Sequence, residues 1–393
     1  MYKLKENTNG VCAPQGFYAD GISAGLKPDG AKDLAFVYSQ KVCEIAAVFT
    51  SNKMAAAPIH HAKGITQSNF VLINSKNANA MTGAYGLKDI ESILGRVQEK
   101  FATIHNPLMS STGVIGVRLP AQKIVDAALG FDLNVKNPHD AATAIMTTDR
   151  FSKEIAFDIE LQDGSRFSIG AMAKGAGMIN PAMATMLCFI TTDAAIERET
   201  MQEILTRVNQ RTFNAASVDG DTSTNDTVFV MANGTSGVLD LEAFESALFK
   251  VMEYLAKALV RDGEGSTKLV TYKVRGAKDD AQAELVAKTL SNSLLIKTAL
   301  YGEDPNWGRI AMSVGASGAQ CEESKLSIAY EDVVLFEKGV NLFDEKVETA
   351  ASEVMRRDVF DIHVDLGMGS GSFDAFGCDL GDEYIRINAD YRT

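Results

Sequence analysis

The chain has 393 residues, of which 46% are hydrophobic and 23% charged, so it is long enough for two domains or one large α/β unit. Its formal net charge of −13 argues against nucleic acid and anionic membrane surfaces as partners, because both need a basic patch. No run of about 18 apolar residues predicts a membrane-spanning helix, and the N-terminus lacks the apolar segment of a signal peptide.

The cysteines also indicate the cellular compartment. They are odd in number, scattered and never in CxxC spacing, which favours reduced thiols over a disulfide framework or a zinc site. The five positions are Cys12, Cys43, Cys188, Cys321 and Cys378. We therefore expect a cytoplasmic protein without a bound metal.

The first third of the chain is predicted to form short strands separated by turns. These strands are 34–39, 45–51, 70–75 and 113–120. Residues 89–104 show the apolar spacing of a helix, and 139–149 predict a second, short helix. Residues 153–175 predict a hairpin around Asp163-Gly164, which is a strong turn signal.

Longer helices are predicted in the second half of the chain. The helices are 198–210, 240–265 and 279–295, and the strands are 268–277, 325–336, 360–373 and 384–391. Gly263 is placed to end the longest helix. Because strands and helices do not alternate regularly, we expect a mixed α/β fold of layered sheets covered by helices.

One stretch, "KGAGMINPAMATMLCFITTDA" from Lys174 to Ala194, places Thr185 where a permissive loop meets an apolar strand. Threonine suits the start of a strand, so the position has an ordinary structural explanation. The alternative is that cleavage of the Ala184–Thr185 bond makes Thr185 an N-terminal nucleophile. Its free amine, with a pKa of about 7.7–8.0, can act as base for its own hydroxyl.

Three further segments are candidates for a site. "LMSSTGVIG" at 108–116 is either a tight turn or an oxyanion hole, in which Thr112 and the Gly113 backbone stabilise a negative charge. The acidic run 218–227 lacks the spacing of a calcium loop and predicts a polar turn beside an active site. The glycine-rich run 260–268, which contains Glu264, is either a helix end or a binding loop.

Familiar nucleotide and hydrolase motifs do not occur in the sequence. It contains no GxGxxG, P-loop, HExxH or GxSxG pattern. Dinucleotide binding, P-loop chemistry, HExxH-type zinc proteolysis and serine-elbow hydrolysis therefore lack support.

Taken together, the segments resemble the ornithine acetyltransferase (glutamate N-acetyltransferase) family of arginine biosynthesis. The resemblance extends from near residue 16 to residue 393. The matching segments are "GFYADGISAGLK", "STGVIG", "AIMTTD", "AKGAGMINPAMATML", "FNAASVDGDTSTNDT", "RDGEGSTK", "KTALYGEDPNWGRI" and "INADYRT".

The resemblance implies a two-domain α/β fold, similar to N-terminal-nucleophile enzymes but of distinct topology. It implies self-cleavage at Ala184–Thr185 into an α chain, 1–184, and a β chain, 185–393, with two of each chain in a heterotetramer. Thr185 becomes the nucleophile, with Thr112 and Gly113 as the oxyanion hole. The implied substrate contacts are Thr148, Lys174, Thr185, Glu264, Asn388 and Thr393.

The implied reaction moves the acetyl group of N-acetylornithine to glutamate through an acetyl-threonine intermediate, without a cofactor. Lys174 suits a substrate carboxylate, and Glu264 either orients the Thr185 amine or meets a substrate ammonium. The sequence leaves open whether acetyl-CoA is a second acetyl donor. The alternatives are an N-terminal-nucleophile amidohydrolase or aminopeptidase, and a non-catalytic binding protein.

The sequence departs from the expected family pattern in four places. Lys76 and Met81 stand where we expect glycine and cysteine, Ala182 stands where asparagine is common, and the segment "TTDRFSKE" from Thr147 lacks the proline that we expect after "TTD". None of these changes removes a proposed catalytic group. They leave the substrate range more open than the core reaction.

Overall fold

The computed structural model describes residues 2–180 and 186–390. The predicted cleavage site, Ala184 and Thr185, and the predicted substrate contact Thr393 lie outside the described residues, as does Ala182. Among the described helices, none has both the length and the apolar character needed to cross a membrane.

The described strands form two sheets. In chain order they are β1 (Tyr2–Glu6), β2 (Phe17–Ile22), β3 (Leu34–Phe49), β4 (Gln67–Asn74), β5 (Leu108–Ser111), β6 (Lys153–Leu161), β7 (Arg166–Lys174), β8 (Leu187–Thr192), β9 (Ala216–Ser217), β10 (Thr227–Ala232), β11 (Leu269–Ala277), β12 (Ser327–Tyr330), β13 (Val333–Glu337), β14 (Val340–Asn341), β15 (Val359–Asp365) and β16 (Gly371–Cys378).

The described α-helices lie mainly in the second half of the chain. They are α1 (Ala57–Ala62), α2 (Ala84–Lys100), α3 (Ala121–Ala128), α4 (Pro138–Ala144), α5 (Arg198–Gln210), α6 (Leu241–Arg261), α7 (Asp280–Asn292), α8 (Leu294–Tyr301), α9 (Trp307–Ala316), α10 (Glu345–Met355) and α11 (Asp382–Asp390). Short 3₁₀ turns occur at Gly10–Cys12, Pro28–Gly30 and Phe213–Ala215.

The first sheet has the strand order β1-β6-β7-β8-β10-β3-β4-β5, with β2 also paired to β3. The second has the order β14-β13-β12-β15-β11-β16-β9. Most neighbouring strands are antiparallel, but β8–β10, β4–β5, β11–β15 and β9–β16 are parallel. The mixed α/β class with layered sheets and covering helices is therefore confirmed.

The long helix α6 joins the two sheets. It contacts β6 and β7 of the first sheet and β16 of the second. Its apolar stripe, with Phe244, Leu248, Val251, Leu255 and Leu259, is fully buried in the largest hydrophobic cluster. Asp240 caps the helix by accepting a hydrogen bond from the Ala243 amide. Because of this packing, the end of α6 has a fixed position relative to β7.

Several predicted elements are confirmed. The hairpin 153–175 forms β6 and β7, with Gly164 at a φ of 82° in the turn. The predicted helices 198–210 and 240–265 correspond to α5 and α6. The predicted helix 279–295 is divided, because Ser293 ends α7 and caps α8 with its hydroxyl.

The predicted strands differ more in their boundaries. Residues 34–39 and 45–51 belong to one long strand, β3, whose pairing with β4 shifts register between Tyr38 and Cys43. Residues 325–336 form two strands, β12 and β13, and 360–373 contains most of β15 and the start of β16.

Two strand predictions are wrong. Residues 113–120 are not a strand, since Gly113 and Gly116 take φ values of 131° and 80° and the chain folds back to hydrogen-bond Lys76 and Ala80. The strand is the preceding segment, β5.

The predicted strand 384–391 is also wrong, because its described part is helix α11. Acidic residues Asp382 and Glu383 favour a helix N-terminus, and Arg386 pairs with Asp382 one turn away. No residue of α11 is fully buried, so the apolar alternation in the sequence does not reflect a sheet.

Candidate active site

A cavity of about 370 Å³ lies where the ends of β5, β7 and α6 meet helix α11. Six residues predicted from the sequence line it together: Thr112, Gly113, Thr148, Lys174, Glu264 and Asn388. They come from segments as distant as 112 and 388 in the chain. The fold thus brings together the predicted site residues that the structure describes.

The turn after β5 presents Thr112 and Gly113 to the cavity. The Thr112 amide donates to the Asn74 carbonyl at 3.0 Å, and Asn225 Nδ2 donates to the Ser111 carbonyl at 2.8 Å. At Gly113 an added Cβ would lie 2.2 Å from the Lys76 carbonyl carbon, so only glycine fits. The turn is therefore held in one shape, as an oxyanion hole requires.

Lys174 ends β7 and is almost completely buried, with 2% of its surface exposed. Its Nζ donates to Thr112 Oγ1 at 3.3 Å and to Thr147 Oγ1 at 2.9 Å, and lies 3.9 Å from Asp149 Oδ2. Burial lowers the pKa of Lys174, and the Asp149 charge opposes that shift. A buried ammonium held mainly by hydroxyls is well suited to bind a carboxylate.

Asp149 organises the loop that carries Thr147 and Thr148. It accepts hydrogen bonds from the Thr147 amide at 2.9 Å, the Gly175 amide at 2.7 Å and Lys153 Nζ at 2.8 Å. Burial alone would raise the pKa of Asp149, but Lys174 and Lys153 lower it to about 2. The carboxylate therefore stays charged and ties the loop to β7.

A second buried carboxylate, Asp262, fixes the same loop to the end of α6. It accepts from Lys153 Nζ at 2.6 Å and from the Arg150 amide at 3.1 Å. The Arg150 guanidinium adds a second contact to Asp262, at 3.1 Å from Nε to Oδ1.

Glu264 lies just beyond α6 and reaches across to α11. Its amide donates to the Ala176 carbonyl at 2.9 Å, and its carboxylate accepts from Asn388 Nδ2 at 2.8 Å. At Gly177 an added Cβ would lie 2.7 Å from the Glu264 carboxyl carbon. A glycine at 177 therefore lets this carboxylate lie against the main chain that leads towards the predicted cleavage site.

The acidic turn 218–227 lies beside the cavity, as the sequence predicted, and contributes Asp219, Asp221 and Thr222 to its lining. Asp219 accepts from the Met178 and Ile179 amides at 2.7 and 2.8 Å. The Tyr384 hydroxyl donates to the same carboxylate at 3.2 Å. Burial raises the pKa of Asp219 despite these hydrogen bonds.

Sequence reasoning missed several residues of the site. Thr147 stands beside Thr148 in the same motif, and that adjacency was the available signal. Asp149 and Asp219 act through backbone amides, for which the sequence has no pattern. Tyr384 was assigned to a strand, so its place beside Asp219 was not foreseen.

The unexpected residues Lys76 and Met81 both adopt a left-handed backbone, with φ values of 72° and 55°. This conformation favours glycine, which accounts for the glycine expected at position 76. The Lys76 carbonyl accepts from the Val114 amide at 3.1 Å and so supports the turn at Gly113. The structure offers no comparable explanation for the cysteine expected at position 81.

Within the described ranges, one group of side chains has the spacing to hold a metal ion. It consists of Glu331, Asp361 and His363 in the second sheet. Asp361 is ion-paired with Lys273, and none of the three lines the cavity. The candidate active site is therefore separate from this group.

The chain matches the ArgJ family over residues 18–393. It is 56% identical to the arginine biosynthesis bifunctional protein ArgJ of Wolinella succinogenes, with 100% of both chains covered. It is 42% identical to the protein of the same name from Synechocystis sp., with 98% of both covered. A crystal structure of arginine biosynthesis bifunctional protein ArgJ from Bacillus halodurans is 42% identical, with a TM-score of 0.50, and covers 52% of this chain and 98% of its own.

Proposed function

Because the chain belongs to the ArgJ family, we propose that it is an acetyltransferase of arginine biosynthesis that moves the acetyl group of N-acetylornithine to glutamate. The observation that carries this proposal is the single cavity in which six residues predicted from the sequence meet. The relatives with up to 56% identity are named as bifunctional arginine biosynthesis proteins. We therefore also propose acetylation of glutamate from acetyl-CoA as a second activity.

Self-cleavage before Thr185 is part of the proposal. The approach to that residue is permissive, since Gly175 has a φ of 150° and Gly177 packs against Glu264. The solved relative from Bacillus halodurans spans about half of this chain. That length is close to either fragment expected from cleavage between Ala184 and Thr185.

The proposed transfer has two steps. In the first, the Thr185 amine accepts the hydroxyl proton and Oγ attacks the acetyl carbonyl of N-acetylornithine. Thr112 and the Gly113 amide stabilise the oxyanion until the C–N bond breaks, and the leaving amine of ornithine takes the proton. In the second step, the amine of glutamate attacks the acetyl-threonine ester, and the C–O bond to Thr185 breaks to regenerate the hydroxyl.

Charges in the cavity suit both substrates. N-acetylornithine and glutamate each carry a carboxylate next to the reacting region, and the buried ammonium of Lys174 supplies its partner. Glu264 supplies a negative charge in the same cavity. Its carboxylate either pairs with a substrate ammonium or accepts a hydrogen bond from the Thr185 amine. That amine becomes positively charged when it takes the hydroxyl proton.

We also propose that two α and two β chains assemble and that the enzyme acts in the cytoplasm. The association of the α and β chains within one protomer has a physical basis in α6. This helix follows the cleavage site in sequence, yet it packs against β6 and β7, which precede it.

Product analysis with and without glutamate tests the proposal. With N-acetylornithine alone, the transferase releases about one ornithine per active site and then stops; with glutamate it turns over and forms N-acetylglutamate. The Thr185→Ala variant should do neither. Continuous release of acetate at the same rate without glutamate would instead identify a hydrolase.

A further inference from the structure

The acidic turn 218–227 holds the chain on both sides of the cleavage segment 181–185. On the upstream side, the Ile179 carbonyl accepts from the Val218 amide at 2.8 Å, in addition to the Asp219 contacts described above. Asn180 Nδ2 donates to Thr222 Oγ1 at 3.2 Å. The last described residues before the segment are thus bound by one side of this turn.

The other end of the same turn binds Met186, the first described residue after the segment. The Met186 amide donates to Asp226 Oδ1 at 3.2 Å, and the Met186 carbonyl accepts from the Thr227 amide at 3.0 Å. Asp226 and Met186 are fully buried. The Asp226 carbonyl accepts from the Thr50 amide at 2.9 Å, which ties this part of the turn to the chain just after β3.

Asp226 is an unusual buried carboxyl group. Within the described residues, its Oδ2 has no hydrogen-bond partner. Burial raises the pKa of Asp226 well above its usual range, although the Met186 amide, the Ser223 and Thr50 side chains and the charge of Lys174 oppose the shift. A protonated carboxyl agrees with this setting, because an unpaired charge would be costly in a buried site.

The contact with Met186 has a direct consequence for Thr185. The peptide unit is planar, and the Met186 nitrogen is bonded to the Thr185 carbonyl carbon. A hydrogen bond that holds the Met186 amide therefore acts on the peptide group that joins Met186 to Thr185.

We propose that Asp226 is a positioning residue for self-cleavage, which holds the main chain directly after Thr185 through the Met186 amide. This inference rests on the proposed function. In the reaction, Thr185 Oγ forms a bond to the Ala184 carbonyl carbon, the C–N bond breaks, and the hydroxyl proton ends on the released amine. Water then hydrolyses the ester, which frees the hydroxyl and leaves a carboxylate on Ala184.

Three substitutions at this position separate positioning from stability. Asp226→Asn keeps an acceptor for the Met186 amide and resembles the protonated acid. Asp226→Leu has a similar shape but no acceptor, and Asp226→Ala, which also lacks an acceptor, is the substitute if the leucine variant does not fold. Asp193→Leu is the matched control, since Asp193 is also buried and accepts two backbone amides, from Gln15 and Ser168, away from the cavity.

The rate of self-cleavage is followed on denaturing gels after a short cell-free synthesis, and the melting temperature of each folded variant is measured beside it. We expect Asp226→Leu or Asp226→Ala to cleave about tenfold more slowly or worse, the factor given by about 1.4 kcal/mol of lost hydrogen bonding. Asp226→Asn should cleave within about threefold of wild type. Asp193→Leu should melt earlier yet cleave at the wild-type rate.

Two results would overturn the positioning role. One is wild-type cleavage by the variants without an acceptor, and the other is an asparagine variant as slow as the leucine variant. A wild-type chain that never cleaves would be a different failure, because it contradicts the proposed function itself.

Discussion

The amide and the hydroxyl of Thr112 have different hydrogen-bond partners. Its amide is used by the Asn74 carbonyl, so the hydroxyl is the group left for the cavity. That hydroxyl accepts from Lys174 Nζ at 3.3 Å. The lysine orients the hydroxyl, whose proton is then free to point towards a developing oxyanion.

The substitution Thr112→Ala tests this role. Loss of one oxyanion donor typically lowers kcat by roughly 10²–10³, so kcat should fall strongly while KM for N-acetylornithine changes little. The matched variant is Thr148→Ala, at the neighbouring cavity position predicted to bind substrate. It should raise KM instead.

Steady-state kinetics on both variants separates the effect on kcat from the effect on KM. If Thr112→Ala raises KM and leaves kcat intact, Thr112 binds the substrate and the oxyanion assignment is wrong.

The residues that face the cavity were easier to predict from the sequence than the residues that hold them in place. Thr112, Lys174 and Glu264 stand in motifs whose residue types suggest chemistry. Asp149 holds its loop by accepting hydrogen bonds from the Thr147 and Gly175 amides. Hydrogen bonds to backbone amides cannot be recognised from residue types. The charged groups that hold the site therefore became visible only in three dimensions.

Helix α11 was predicted as a strand from the sequence. Its apolar residues follow the period of a strand, but Asp382–Asp390 form a helix, of which no residue is fully buried. As a helix it places Tyr384 and Asn388, four residues apart, on one side, where they meet Asp219 and Glu264. The predicted role of Thr393 lies outside the described residues and stays a prediction.

The contribution of α11 is tested by Asn388→Ala. The change removes a hydrogen bond to the Glu264 carboxylate, and bonds to charged groups contribute about 1.5–3 kcal/mol. We expect kcat/KM for N-acetylornithine to fall by about tenfold or more. Self-cleavage should proceed normally, since the described hydrogen bonds of Asn388 go to Glu264 and Tyr384 and not to Asn180 or Met186, which flank the cleavage segment.

Arg386→Ala is the matched control for this measurement. Arg386 lies on the same helix, is exposed, and pairs only with neighbouring carboxylates of α11 in the described structure. It should leave kcat/KM unchanged. Equal effects of the two substitutions would mean that α11 matters only as a folded unit.

The strand errors share one physical cause. Residues 113–120 contain the apolar alternation of a strand, but glycines at 113 and 116 take positive φ values that redirect the chain. Periodicity reports which residues are apolar, whereas the competition among turn geometry, sheet partners and helix caps decides the element. The hairpin at Asp163-Gly164 was predictable because its turn signal and its strands agree.

At the scale of the whole molecule, the candidate site belongs to both predicted chains. Thr112 and Lys174 precede the cleavage site, whereas Glu264 and Asn388 follow it. The largest hydrophobic cluster also crosses that boundary, from Ile169 of β7 to Leu255 of α6. Cleavage would thus leave a complete site only if the two chains stay packed together.

This arrangement was accessible from the sequence only through the family resemblance. Motif spacing cannot place residues 112 and 388 at one cavity, because their approach depends on how the two sheets pack around α6. The resemblance supplied the site residues, and the structure supplied the distances between them.

The proposed reaction depends on Thr185 becoming an N-terminal nucleophile that carries the acetyl group. The most direct test is mass spectrometry of the purified protein after incubation with N-acetylornithine in the absence of glutamate. We expect two fragments, 1–184 and 185–393, with one acetyl group on Thr185 that disappears when glutamate is added. An active preparation in which the chain stays whole, or in which the acetyl group is on another residue, would contradict the account.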